Sequence, residues 1–309
     1  MKFGKLQDIS RVDFALPQEP KANAIRLTEA AAAPSPQAMQ LYIGCTGWSM
    51  PSWVGEWYPK GTKSKDFLTA YGQQFNTIEL NTTHYRTPDQ ALVERWCHQV
   101  PQDFRFCPKV LQRISHERNL GLGSDQLPLF WQALEYFGEK LGCCFIQLPP
   151  YFDRSRLELL ERFLAAWPRA FPLAVELRHE SWFEEEAAIQ SFSDVLHRHQ
   201  VAAVITDVAG RRDVLHLQLT SHQTMIRFVG NGLHPTDFER ANDWCQKIRA
   251  WQQLGLSEVY LFPHQPDNVE APEMAKYLAD QFADELTIIT RGAAPIDKSP
   301  PGGQQISLF

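Results

Sequence analysis

None of the six cysteines, Cys45, Cys97, Cys107, Cys143, Cys144 and Cys245, forms a C-x-x-C pair. They read as reduced thiols in a cytoplasmic protein. No apolar run reaches the roughly 18 residues of a membrane span. The first residues, "MKFGKLQDIS", lack the apolar core of a signal peptide. Positive charge is not in excess. The formal net charge is −6, which excludes a generic nucleic-acid coat and leaves room for local contact alone. There is no G-x-G-x-x-G phosphate fingerprint, because "GCTGWS" at 44–49 is too short. H-x-H, H-E-x-x-H and nucleophile-elbow spacings are also missing.

What remains is an ordinary globular chain of 309 residues, 44% hydrophobic and 21% charged. A chain of this length can bury roughly three quarters of its unfolded surface. Residues 1–38 are polar and close on "TEAAAAPSPQ", and residues 291–309 cluster Pro and Gly. Both read as flexible, the first as an extension and the second as a tail. The span 39–290 between them reads as one folded domain.

Eight segments in that span have strand character: "LYIGCTGW", "TIELNTTHY", "FRFCPKV", "CFIQLPP", "LAVELRH", "AAVITDV", "MIRFVG" and "EVYLFPH". Most gaps carry apolar residues at helical spacing. "TPDQALVERWCHQV" starts with a Thr87 cap and Pro88 at the first helical position. The weakest gap is "AGRRDVLHLQLTSHQT". Strand starts recur about every 30 residues, the spacing of βα units rather than of hairpins. The expected fold is α/β, a (β/α)8 TIM-type barrel. An open doubly wound sheet is the alternative.

The strands carry charge on one face. Within "LAVELRHESWF", Glu176 and Arg178 sit two apart and share a face, while Val175 and Leu177 take the other. Glu79 and Asn81 pair in the same way, as do Arg105, Cys107 and Lys109. Gln147, Asp207, Arg227, Tyr260, Phe262 and His264 continue the pattern. In a barrel these residues point inward, near the carboxyl ends of the strands where chemistry is placed. Isolated buried charges are costly, so the groups must pair, be solvated, or face a ligand. Glu79, Glu176 and Asp207 are the candidate acid–base residues. Trp48, Asn81, Tyr85, Lys109, His116, Gln147, Arg178, His179, Arg227 and His264 are the candidate ligand-binding residues. Lys109, Arg178 and Arg227 would hold an anion, either a small molecule or a nucleic-acid phosphate. Two functions fit: a hydrolase acting on a phosphate ester, and a non-catalytic module whose internal charges tie strands together. His84, His116, His179 and His264, with the three carboxylates, could hold a divalent metal only if the fold converged them, and no spacing supports it. The cofactor is unassigned. Trp48, Trp53, Trp57 and Tyr58 could floor a pocket or form a packed lid. A nucleophilic Cys45 or Cys107 is disfavoured.

"YIGCTGWSMPSW…YP", "FNTIELNTTHYRTP", "FRFCPKV…ISH", "FIQLPPYF" and "AVELRHESWF" together resemble the YecE-like family, a domain of unknown function. The resemblance runs from about residue 40 to 286 and implies a TIM-type barrel, with no established reaction. Its matching positions include Gly47, Trp48, Trp53, Glu79, Asn81, Tyr85, Lys109, His116, Gln147, Pro149, Glu176, Arg178, His179, Trp182, Asp207 and Arg227. The chain departs from it at Val229-Gly230, where many members have His-Gly, and at "FPHQPD", where many are Asn-rich.

The tail ends in Gln305, Ile306, Ser307, Leu308 and Phe309. This stretch resembles the bacterial sliding-clamp-binding pentapeptide Q-L-[SD]-L-F, with Ile306 for Leu. Apolar tips on a polar tail suit a docking peptide.

Overall fold

The computed structural model describes residues 4–30 and 38–296. Its strands are β1 (Met39–Ile43), β2 (Thr77–Leu80), β3 (Arg105–Pro108), β4 (Cys144–Gln147), β5 (Leu173–Glu176), β6 (Ala202–Asp207), β7 (Gln223–Val229), β8 (Glu258–His264) and β9 (Ile288–Ile289). Its helices are α1 (Ala22–Ala30), α2 (Phe67–Gln74), α3 (Gln90–Gln99), α4 (Gln112–Ser115), α5 (Gln126–Glu135), α6 (Leu157–Ala166), α7 (Glu186–Arg198), α8 (Pro235–Gln253) and α9 (Ala271–Asp280). The alternation is that of a parallel α/β protein. The cap of α3 is Asp89, whose side chain accepts from Leu92 N at 2.9 Å, two residues later than the Thr87 expected. The weak gap before β7 holds a short 3-10 turn, Arg212–Val214.

Seven strands join in the order β4-β5-β6-β7-β8-β1-β9, and β2 pairs with β3 separately, all parallel. The ladders do not close into one ring. The β1–β2 seam explains why. Asn76 holds β1 through its amide, accepting from Ile43 N (2.9 Å) and donating to Leu41 O (3.1 Å). Tyr71 Oη donates to Thr77 O (2.8 Å) and accepts from Cys45 N (2.7 Å). Side chains thus take the places of ladder partners. One backbone bond, Glu79 N to Cys45 O at 3.1 Å, crosses directly. Gly44 permits the approach, since a Cβ there would lie 2.0 Å from Thr77 O. Between β3 and β4 the contacts are isolated bridges, Phe106 with Leu141 and Lys109 with Phe145.

Side-chain alternation divides the core. Tyr42, Cys107, Phe145, Ala174, Val204, Met225, Tyr260 and Phe262 pack together on one face of the strands, with Tyr42 stacked on Tyr260 at 4.9 Å. The opposite faces meet the helices: Val175 and Leu177 join Phe163, Phe192 and Trp182, and Ile226 and Leu261 join Trp244 and Ile248. Trp53, Trp57 and Tyr58 are buried in this second layer, packed in the core.

The extension read as flexible over 1–38 is packed where it is described. Glu19 accepts from Lys247 and Trp251, each at 3.0 Å. Asn23 bridges Leu217 O (2.7 Å) and Leu219 N (2.9 Å). Arg26 donates to Asp194 at 2.8 Å, and Leu27 is buried. Its polar residues are anchors, which composition alone reads as linker. Residues 305–309 lie outside the described residues. Among the described residues no helix is long and apolar enough to cross a membrane.

Candidate functional site

Strand alternation stacks a polar layer above the Tyr42–Phe262 face, at the carboxyl ends of the strands. At its centre is Arg227 of β7. Its Nε and Nη2 each donate to Glu79 of β2 at 3.0 Å, a two-point fork. Its Nη1 donates to Glu176 of β5, at 2.9 Å to Oε2 and 3.2 Å to Oε1. One guanidinium therefore ties the β2–β3 pair to the large sheet. Glu79 also accepts from Asn81 Nδ2 and meets His264 Nε2, both at 2.9 Å. Glu176 accepts from Arg178 Nε (2.8 Å), Gln147 Nε2 (2.6 Å) and Thr206 Oγ1 (3.1 Å).

Both carboxylates are buried. Burial pushes the Glu79 carboxyl up, but Arg227 and then His264 overcome this and hold it well below the usual range. Glu176 is likewise opposed by burial, and Arg178 and Arg227 bring it down to about 2. Groups so placed stay ionised at neutral pH with their lone pairs filled by protein donors. That geometry suits charge pairing and disfavours the acid–base role expected of them.

Lys109 is different. Its main chain is fixed on both sides: its N donates to Leu80 O at 3.1 Å and its O accepts from Thr83 Oγ1 at 2.8 Å. Its buried Nζ donates to the neutral Oε1 of Gln147 at 3.0 Å and makes no ion pair among the described residues. The Phe145 ring centroid lies 5.7 Å away. Burial lowers the ammonium to about 8; repulsion from Arg227 adds to this, and attraction from Glu79 and Glu176 opposes it.

The histidines disperse. His84 Nδ1 meets Val110 O at 2.8 Å, and burial lowers it to about 4. His116 lies 5.7 Å from the His84 ring with Nδ1 on Ser115 Oγ at 2.9 Å; burial and then the Lys109 charge lower it. His179 turns away to accept from Ser181 N (3.2 Å) and cap the next turn. Tyr85 is exposed, and half-buried Trp48 packs edge-on against Trp96. Among the described residues no group of three His, Cys, Asp or Glu side chains is placed to hold a metal.

Asp207 does not join the network. It lies one residue out of phase with the inward positions Val204 and Thr206 and faces α8. There it pairs with Arg212 and, at 2.9 Å, with Arg240, and accepts from Trp244 Nε1 at 2.8 Å. Thr206 occupies the inward place that the charge of Asp207 suggested. Counting alternation forward from Ala202 and Val204, both apolar and inward, finds it.

These observations define a parallel α/β protein whose strands carry a buried carboxylate–guanidinium network at their carboxyl ends. The chain belongs to the DUF72 family: residues 42–298 match the family described as "Protein of unknown function DUF72". The UPF0759 protein YecE of Escherichia coli K12 is 33% identical over 287 residues, 87% of this chain and 100% of that protein. The UPF0759 protein YunF of Bacillus subtilis 168 is 27% identical over 297 residues, with the same coverage of both. A crystal structure of a DUF72 family protein from Enterococcus faecalis V583 superposes with a TM-score of 0.65, at 18% identity, covering 85% of this chain and 100% of that one. That last likeness speaks to the fold alone.

Proposed function

We propose that the protein binds an anionic ligand at the carboxyl ends of its strands, with Lys109 as the central cation and Arg178 and His116 beside it. The isolated bridges and side-chain seams are read as the joints of a (β/α)8 barrel whose mouth is this site. One observation carries the reading. Glu79 and Glu176 are committed to Arg227 and Arg178, so Lys109 is a buried cation with a neutral partner. Lys109 thus carries a charge that no ion pair among the described residues answers. Burying an ammonium without a counter-charge is costly, and a phosphate or carboxylate arriving there would offset that cost.

Titration of the full chain with inorganic phosphate tests this. Wild type binds, and Lys109→Met binds at least tenfold more weakly. Equal affinities would remove the anion site. The phosphoesterase form of the reading is tested with phosphate esters in the presence and absence of divalent metal.

The saturation of both carboxylates favours a second reading, a non-catalytic module in which the network holds the strands together. It gains if phosphate does not bind and the network variants lose stability alone. Contact with a sliding clamp through Gln305–Phe309 is a separate proposal resting on the sequence. Purified clamp should bind the full chain and fail to bind a chain lacking residues 305–309; equal binding, or none by either, removes it.

A further inference from the structure

We propose that Lys109 is an amine nucleophile, forming a reversible Schiff base with a small carbonyl compound that carries a carboxylate or phosphate. The charged part of this ligand rests on the anion-site reading above; the amine chemistry does not.

The surroundings fit an amine more closely than a structural ammonium. A structural lysine spreads its three N–H donors over carboxylates or carbonyls. Lys109 Nζ has one hydrogen-bond partner among the described residues, Gln147 Oε1 at 3.0 Å. That oxygen is fixed in place because the same amide donates to Glu176 Oε2 at 2.6 Å. A neutral amine needs one acceptor for one N–H and a lone pair directed elsewhere, and a single fixed acceptor supplies that. The carboxylates that would hold Lys109 protonated are taken by arginines, which cannot give up their own charge. The Lys109 main chain is held by Leu80 O, Thr83 Oγ1 and the Phe145 bridge and its side chain is held at the tip by Gln147, so placing Nζ for attack costs little ordering. Desolvation beside cationic groups is a recognised route to a reactive lysine.

The step balances without an added oxidant or reductant. The Nζ lone pair attacks the carbonyl carbon, the C–N bond forms, and the C=O π pair moves to oxygen. A proton passes from nitrogen to that oxygen. The carbinolamine hydroxyl then takes a proton from solvent and leaves as water, and the nitrogen pair closes the C=N bond as a protonated imine. Hydrolysis reverses each step. A negatively charged substituent would sit against the positive charge of the protonated imine at Lys109.

The full-length wild-type protein is treated with glyoxylate and cyanoborohydride, which fixes an imine as carboxymethyl-lysine, and every lysine is mapped by peptide mass. The neutral glycolaldehyde is run alongside. Lys109 is expected to be labelled at least tenfold faster than exposed lysines such as Lys60 and Lys65, faster with glyoxylate than with glycolaldehyde, and more slowly when phosphate is added. Labelling of Lys109 no faster than that of the exposed lysines overturns the inference. If phosphate binds the same sample while Lys109 stays unlabelled, the nucleophile falls and the anion site stands. If Lys109 is labelled equally by both aldehydes and phosphate does not bind, the anionic class of ligand falls along with the anion site.

Discussion

Arg227→Met isolates what the network contributes. The substitution keeps much of the side-chain volume and deletes four hydrogen bonds, two to Glu79 and two to Glu176. Glu176 retains Arg178, Gln147 and Thr206. Glu79 retains Asn81 and His264 and loses its permanent counter-charge while staying buried. Removing one partner of a buried pair costs about 3–5 kcal/mol, because the other charge is left uncompensated. The sign with pH follows. With Arg227 gone, the folded-state pKa of Glu79 lies above its unfolded value, so the penalty is full at high pH and is relieved as pH falls and Glu79 takes up a proton. Urea unfolding followed by tryptophan fluorescence at pH 8.5 and pH 5.5 measures this, and the loss should be larger at the higher pH. Adding Glu79→Gln should recover about 1–3 kcal/mol, the coupling expected between contacting groups. A loss below about 1 kcal/mol, unchanged with pH and not rescued, would show that water rather than Arg227 compensates the carboxylates.

Three further changes probe the neighbours. Lys109→Met should be more stable than wild type below pH 8, by on the order of 2 kcal/mol. The folded ammonium is depressed to about 8 against 10.5, so wild-type stability rises with pH between those values and the variant's does not; unfolding curves at pH 7 and pH 10 compare them. Glu176→Gln should cost about 3 kcal/mol at pH 7. Because Glu176 is held at about 2, its contribution is present above pH 4.5 and lost as pH falls toward 2, so wild type and variant should converge in acid unfolding. Asp207→Asn leaves Arg240, 2% exposed, with Asp237 as its remaining carboxylate. It should cost about 3 kcal/mol and leave phosphate affinity unchanged, since Asp207 lies outside the network.

The alternation of elements was legible because period-2 apolar runs and helical spacing are local signals. The ladders do not close into the single ring that the strand count suggests. Asn76 and Tyr71 replace ladder bonds at the β1–β2 seam, and nothing in a strand pattern says that a side chain will take a backbone partner. Strand parity placed Glu79, Lys109, Gln147, Glu176 and Arg227 on one face, where the structure has them. It failed at Asp207 because the charge was followed instead of the phase. It also could not say which cation takes which carboxylate. That depends on guanidinium reach and the two-point fork to Glu79, and it decides that Lys109 is left with an amide. The polar anchors Glu19, Asn23 and Arg26 carry no local signature, since the partners that tie them to the domain lie 232, 194 and 168 residues away.

Binding and attack pull Lys109 in opposite directions, and this gives the site a distinctive pH profile. An anion is held by the ammonium; attack requires the free amine. By reciprocity, a bound anion must raise the pKa of Lys109 above its unliganded value of about 8. Above that pH, binding has to put a proton back on Lys109, and affinity for an anion of fixed charge such as sulfate falls by up to about tenfold per unit. Below it, affinity is flat while the fraction of free amine drops by about tenfold per unit. At subsaturating glyoxylate the rate of imine trapping at Lys109 follows the fraction of unliganded protein that carries the free amine, so it should rise by about tenfold per unit below pH 8 and level off above it. An exposed lysine shows no such plateau, because its ordinary pKa makes labelling climb throughout that range. The two measurements are sulfate affinity between pH 6.5 and 9.5 and labelling rate at Lys109 over the same range. A labelling rate that climbs steadily alongside a sulfate affinity that ignores pH would mean that Lys109 protonation is linked to neither event, and that the charge of Lys109 is neutralised within the protein itself.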